Sequence, residues 1–289
     1  MSILPQTTAK QPTEIGGHTF EWGSRTFVMG VINATTDSFS GDGIASDVGR
    51  AVDLARSFSD WGCDIVDVGG ESTRPALTYA DAAPTSEAEE LERVIPAIEA
   101  IVREVDIPVS VDTYKASVAR VAIEAGASLV NDVWALQRDP QMVRVVVETG
   151  VAVVLMHNQD HAQYRDLVPD VIERLGQLRD WAISSGVARE KIILDPGVGF
   201  GKTARQNLHL LGRLDEFQTL RAPVLVGTSR KSTIGRVLGL PADQRIEGTS
   251  ATVALSIAAG VDIVRVHDVR EMVRVARMSD AVIRGWCSQ

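Results

Sequence analysis

Eight short runs of β-branched and apolar residues, each followed by a segment with helical periodicity, constrain this chain more than any other feature. The runs lie at residues 27–32, 64–68, 108–111, 128–130, 151–156, 191–194, 223–226 and 262–266. Runs that are apolar on both faces belong in a parallel sheet covered by helices. Eight such units, each returning through a helix, fit a closed (β/α)8 TIM barrel of the α/β class better than an open doubly wound sheet. Helices are expected near 47–61, 86–105, 115–125, 140–149, 169–185, 204–217, 250–259 and 270–286. Ser86 with Glu89 three residues on reads as a capping box. A Gly23-Ser24 turn between 19–22 and 26–32 predicts a short N-terminal hairpin feeding the first barrel strand. Residues 1–17 are expected to be a flexible tail, and 18–289 one domain.

The formal charge of −9 argues against nucleic acid as the main partner, since binding a phosphate backbone needs a concentrated basic surface. Two cysteines make no disulfide framework, so a reducing cytoplasm is the default. The first residues lack the basic start and apolar core of a signal peptide. The apolar stretch at 143–156 is interrupted by Arg144, Glu148 and Gly150, and no run reaches the length of a membrane span.

Polar residues recur where the expected strands end: Asn33, Asp67 or Glu71, Asp112, Asn131, His157, Asp195, Lys231, and Arg265 with His267. Each alone has a second reading as a helix N-cap. Together they mark the C-terminal face of a barrel, where such folds keep their active sites. In residues 223–235, a buried strand breaks at a glycine and opens a helix with Ser229, Arg230, Lys231 and Ser232. Unpaired N–H groups and two cations there suit an anion; the alternative is Ser229 as a plain N-cap with both cations in solvent. Asp112 and Asp195, on separate strands, would hold a donor-rich or cationic group, or else merely finish helices.

The segment GVGFGKT at 197–203 is not a phosphate loop, because that pattern needs glycine where Pro196 stands. Its glycines either let backbone approach a flat ligand, with Phe200 packing on it, or simply make a tight turn. His157 and His161 are four apart but lack the acid of a zinc-protease helix, and no nucleophile elbow surrounds Ser229, so neither zinc nor covalent catalysis is indicated.

The segments MGVINATTDSF (29–39), DVGGESTRP (67–75), VSVDTYK (109–115), LVNDV (129–133), LMH (155–157), ILDPGVGFGKT (193–203), GTSRKS (227–232) and RVHDV (265–269) resemble, in order, those of the dihydropteroate synthases. The resemblance implies a TIM-barrel transferase of folate biosynthesis. Such an enzyme joins p-aminobenzoate to 7,8-dihydropterin-6-ylmethyl diphosphate, with Mg²⁺, and releases pyrophosphate. Carried over, Asp112, Asn131, Asp195 and Lys231 would hold the pterin, with Met156 and Phe200 packed on it. Asn33, Arg265 and His267 would hold the diphosphate, Asn33 also through the metal. Lys231, Asp112, Asp195, Arg265 and His267 form the expected catalytic set. Ser232 and the helix start behind it would receive the benzoate carboxylate, the group with which sulfonamides compete, and Thr73, Arg74, Pro75 and Phe39 would belong to loops closing over the site. The resemblance further implies a homodimer formed through the last helices.

Departures fall at Thr36, at Gly41-Asp42, at Ala76 and the segment after it, and at 158–160. Two other readings share the pterin contacts: a corrinoid-linked methyltransferase and a catalytically silent pterin-binding paralogue. The first has no need of Arg230, Lys231, Arg265 and His267 gathered for a diphosphate. The second should have lost loop residues such as Thr73 and Arg74, which are present.

Overall fold

The structure is a computed structural model that describes residues 10–34, 44–71 and 85–286, with side chains of the first helix described from residue 48. Eight parallel strands form the barrel: β3 (Phe27–Asn33), β4 (Ile65–Gly69), β5 (Val109–Asp112), β6 (Leu129–Asp132), β7 (Ala152–Met156), β8 (Ile192–Asp195), β9 (Leu225–Val226) and β10 (Ile263–Val266). Each pairs with its neighbour in chain order, and β10 returns to β3. A bridge between Leu194 and Val224 joins β8 to the short β9 and closes the ring. The helices α1 (Ile44–Trp61), α2 (Glu87–Glu104), α3 (Ala116–Glu124), α4 (Met142–Thr149), α5 (Leu167–Ser184) and α6 (Ala204–Leu211) follow successive strands. Two more, α7 (Ser232–Leu238) and α8 (Ile246–Ala258), lie between β9 and β10, and α9 (Val269–Ile283) ends the described chain.

The apolar residues divide into two cores, as a barrel requires. Side chains pointing outward, such as Val66, Val68, Val111, Val130 and Leu155, pack under the helices. Inward-pointing Met29, Ile65, Leu129, Val154, Ile193, Leu225 and Ile263 fill the lower barrel together with Ile15, Phe20, Trp22 and Phe27. Most of these inward residues open their strands, so the apolar filling sits at the N-terminal end. The opposite mouth is left to polar side chains. The capping box of α2 forms as expected: Ser86 Oγ accepts from Glu89 N, and the Glu89 carboxylate accepts from Ser86 N.

Two expectations are corrected. The hairpin is β1 (Thr13–Ile15) with β2 (His18–Phe20), turning at Gly16-Gly17 and not at Gly23-Ser24. Both turn glycines have positive φ, 56° and 82°, which suits the two-residue loops whose twist matches a hairpin. A Cβ on Gly16 would also lie 2.8 Å from Ser128 Oγ. The flexible tail expected over 1–17 is likewise shortened, because residues 10–17 are held. Thr13 is buried, donates to the Glu190 carbonyl and accepts from Trp22 Nε1 at 2.9 Å. Lys10 pairs at 2.5 Å with Asp262, a buried carboxylate that also accepts from Val224 N at 2.8 Å. The hairpin thus plugs the barrel floor, and the domain begins at or before residue 10.

Removing one partner of a buried ion pair leaves the other charge uncompensated, typically at a cost of about 3–5 kcal/mol. Deletion of residues 1–12, or Lys10→Ala alone, is therefore expected to lower the melting temperature by several degrees, measured calorimetrically. An unchanged melting curve would show that Asp262 needs no partner.

Candidate active site

Strand register assembles the polar mouth. Asn33, Gly69, Asp112 and Asn131 are successive partners across β3, β4, β5 and β6, so they form one row at the upper rim. Gly69 leaves room in that row, since a Cβ there would touch the Asp112 side chain at 3.4 Å. Below it, Asp67 pairs with Ser110, and across the barrel Met156 pairs with Asp195.

Arg265, rising from β10, spans two carboxylates. Its Nε donates to Asp67 Oδ2 at 2.6 Å and its Nη2 to Asp112 Oδ2 at 2.7 Å. Asn131 Nδ2 donates to the same Asp67 oxygen at 3.0 Å. Asp67 Oδ1, Asp112 Oδ1 and Ser110 Oγ are buried without a hydrogen-bond partner. Burial pushes the Asp112 carboxyl up to about 7, with Arg265 opposing and the nearby Asp67 charge adding to the rise. An acceptor held ready for a donor-bearing ligand has this form.

The other half of the mouth is built by the turn after β8. Asp195 Oδ1 accepts from Gly197 N at 2.7 Å. Burial raises its pKa, and Lys231 pulls it back down. The Lys231 ammonium lies 4.9 Å from the centre of the Phe200 ring and donates to the Val198 carbonyl. Burial lowers the Lys231 pKa to about 8 against the attraction of Asp195. Gly197, Gly199 and Gly201 all have positive φ, and what they admit is the chain itself. A Cβ on Gly197 would stand 2.0 Å from the His157 carbonyl oxygen, and one on Gly201 2.5 Å from that of Gln159. The tight-turn reading of these glycines therefore holds, and the turn delivers Phe200 and Lys231 to the same wall.

Lys202 anchors this turn, a role the sequence reading missed. It is buried, and its Nζ reaches His157 Nδ1 at 3.1 Å and the Gly197 and Phe200 carbonyls at 3.0 Å each. Burial lowers its pKa to about 7. Burial and the neighbouring Lys202 together lower His157 to about 3, so that imidazole stays neutral and acts as an acceptor. The available signal was a lysine just before the capping residue Thr203 of α6, in a turn too tight to leave it in solvent.

On the cationic side, Ser229 is not the N-cap of α7; Lys231 holds that position. Ser229 Oγ instead accepts from His267 N at 3.1 Å and meets His267 Nδ1 at 3.0 Å. Burial and the flanking cations Arg265 and Arg230 lower His267 to about 4. Arg230 departs from the expected anion ligand. Its backbone is left-handed at φ 57°, and its guanidinium is held in a fork by Asp268. Ser232 is exposed as the first residue of α7, and Asn33 is exposed at the rim.

Of Asp67 and Glu71, Asp67 faces the mouth. Glu71 pairs with Lys115 at 2.6 Å, beside Glu90 and the Thr85 carbonyl, as a structural clasp. Phe39, Thr73, Arg74 and Pro75 lie outside the described residues, as do Thr36, Gly41, Asp42 and Ala76.

A closed (β/α)8 barrel with carboxylates, cations and an aromatic ring gathered at its C-terminal mouth has the form of a barrel enzyme. Comparison with known proteins narrows the class. The family model described as pterin binding enzyme matches residues 29–267. The dihydropteroate synthase of Clostridium beijerinckii is 48% identical over 272 residues, covering 94% of this chain and 99% of its own. A Clostridium difficile dihydropteroate synthase, solved in the presence of pteroic acid, superimposes with a TM-score of 0.87 at 47% identity, covering 92% of this chain and 99% of that one. The Xanthomonas albilineans dihydropteroate synthase with 4-aminobenzoic acid gives 0.87 at 39% identity, covering 94% and 98%. The chain belongs to the pterin-binding enzymes and, among them, to the dihydropteroate synthases.

Lys202 yields a pH prediction. Its folded pKa lies below the unfolded value, so between about pH 7 and pH 10 the unfolded chain holds more protons. Stability then rises with pH across that window, by up to about 1.4 kcal/mol per unit for one such group. Lys202→Met should remove this rise, read from denaturant midpoints at pH 7 and pH 9.5. Equal slopes in the two proteins would place Lys202 in solvent.

Proposed function

We propose that the chain makes 7,8-dihydropteroate from 7,8-dihydropterin-6-ylmethyl diphosphate and p-aminobenzoate, and that its residues divide the work as follows. The observation carrying this reading is the pair of buried acceptor groups facing a lysine across one mouth: the orphaned Asp112 Oδ1 on one side, Asp195 with Lys231 on the other. A flat ring rich in N–H donors and carrying one carbonyl suits that pattern. Asp112, Asn131 and Asp195 accept from its donors, and Lys231 donates to its acceptor. Phe200 and Met156 pack on its faces.

The reaction breaks the C–O bond between the methylene carbon and the diphosphate and forms a C–N bond from the arylamine to that carbon. The amine proton leaves to solvent or to the departing pyrophosphate. As C–O cleavage proceeds, positive charge spreads over the pterin and negative charge builds on the leaving group. Asp112 and Asp195 stabilise the first. Arg265 uses two nitrogens on the carboxylates and keeps Nη1 for the second, with His267 and Asn33 at the rim. Fixed charges in a partly dehydrated mouth lower the barrier without any protein nucleophile. Ser232, at the exposed start of α7, would receive the benzoate carboxylate.

Mg²⁺ suits this arrangement. Among the described residues no cluster of three or more His, Cys, Asp or Glu could cage a metal, and Mg²⁺ bound mainly by substrate phosphate and water needs only one or two protein oxygens. Asn33 would supply one at the rim, and the bound ion would neutralise diphosphate charge as it departs. No described helix is long and apolar enough to cross a membrane, and a cytoplasmic location agrees with the low cysteine content.

The first assay is pyrophosphate release with Mg²⁺, run with and without p-aminobenzoate, together with detection of dihydropteroate. Product should require both substrates, and Lys231→Ala and Asp195→Asn should each lower kcat/KM about 10²-fold or more while leaving the fold intact. Turnover unchanged in both variants would refute the site.

A second expectation concerns assembly. Leu255 on α8, Met278 and Val282 on α9 and Trp286 just beyond α9 are all more than 60% exposed, and large apolar side chains left in water on two helices that pack together are a surface that a partner would cover. We assign it to a homodimer. Wild type should elute at twice the chain mass in light-scattering chromatography and Leu255→Glu at the monomer mass; a wild-type monomer at micromolar concentration would count against it.

A further inference from the structure

Asp67 is buried completely and bonded to two groups placed in the site, yet it is not among the groups that hold substrate in the division of roles above. Its Oδ2 receives Arg265 Nε at 2.6 Å and Asn131 Nδ2 at 3.0 Å, and its Oδ1 is unpartnered. A carboxylate at this depth is costly, and an apolar residue would fill the same space without that cost. Its contacts carry information that packing does not. Because the Asn131 amide donates its N–H to Asp67, its carbonyl oxygen is left for a ligand, and the amide presents an acceptor to the mouth. Because the Arg265 fork is held by Asp67 on β4 and Asp112 on β5, the guanidinium plane is fixed and Nη1 is the nitrogen that remains.

We propose that Asp67 is a positioning residue that sets both the polarity of the Asn131 amide and the plane of Arg265. A single carboxylate thereby keeps the ring-binding and diphosphate-binding halves of the mouth in register. The inference rests on the reading of the mouth given above. It also makes Asp67 a specificity element: with the amide reversed, the row would offer a donor where the ring offers a donor, and the ring would be refused.

Calorimetric titration with 6-hydroxymethylpterin and, separately, with inorganic pyrophosphate and Mg²⁺ tests this in wild type, Asp67→Asn, Asn131→Ala and the double variant. Asp67→Asn should weaken the ring at least tenfold and pyrophosphate severalfold, and should raise KM for the pterin diphosphate while leaving KM for p-aminobenzoate nearly unchanged. On the Asn131→Ala background, Asp67→Asn should weaken the ring less than twofold further, because the partner it acts through is gone. Full multiplication of the two losses, or wild-type affinity for both probes in Asp67→Asn, would overturn the proposal.

Should Asp67→Asn fail to fold, the exchanged pair Asp67→Asn with Asn131→Asp keeps one carboxylate in the hydrogen-bonded pair and moves it from 67 to 131. Because a carboxylate at 131 offers the ring an acceptor without being oriented by residue 67, retained ring binding in that folded protein supports the proposal, and loss of ring binding overturns it. If the wild type binds neither probe, the reading of the mouth falls first and the role of Asp67 with it, an outcome distinct from wild-type binding that survives in the variants.

Discussion

The mouth of this barrel depends on one guanidinium shared by two carboxylates. Three acids, Asp67, Asp112 and Asp195, are buried within a few residues of strand ends that would otherwise close over apolar side chains. Isolated ions at that depth would shed or take up protons until neutral. Arg265 lies between Asp67 and Asp112 and opposes this at Asp112, and Lys231 opposes it at Asp195. The balance is deliberately short of full pairing: Asp112 keeps one oxygen unbonded and a pKa near neutrality. Complete pairing would make a stable core with nothing left to offer, whereas incomplete pairing makes a binding site.

The second constraint is mechanical. Asp195, Phe200 and Lys231 must meet although they sit on β8, on the turn after it and at the start of α7. The turn can pass between them only by running against the backbone of 157–159, which is why glycine stands at 197 and 201. Carbonyls left inside by such a turn need donors. Lys202 supplies them, with the neutral His157 ring as its third acceptor. The buried lysine therefore plays for this wall the part that Arg265 plays for the other, with a displaced pKa where Arg265 keeps its charge. At the opposite end of the barrel, Lys10 and Asp262 repeat the device for the hairpin plug.

Much of this was legible in the sequence because barrel strands are buried on both faces and end abruptly at polar residues. Asp112, Asn131, Asp195, Lys231 and Arg265 all stand where that rule put them. Legibility failed wherever the deciding contact was distant in sequence. Arg230 read as a free cation because Asp268, 38 residues on, could not be known as its partner. Lys202 read as a failed phosphate-loop lysine because only the folded turn brings His157 to it. The sequence places the hairpin turn at Gly23-Ser24, and what moves it to Gly16-Gly17 is tertiary: Ile15 and Phe20 meet the barrel floor when the chain reverses at 16–17.

These constraints bear on the chemistry through their timing. A protein cation or anion that had to move into place during C–O cleavage would spend part of its effect on that rearrangement. In the proposed reaction the groups that would face the developing charges are already fixed by other bonds: Asp112 through Arg265, Asp195 through Gly197, Lys231 through Val198. Burial holds Asp112 and Asp195 at raised pKa against the bonds that fix them. In the proposed reaction, positive charge on the ring would add a further partner to the ionised forms of Asp112 and Asp195, so their attraction would be greater for the transition state than for the substrate. On that reading the cost of burying underpaired acids would be offset by the charge of the reaction itself, which is the condition for catalysis and not mere binding.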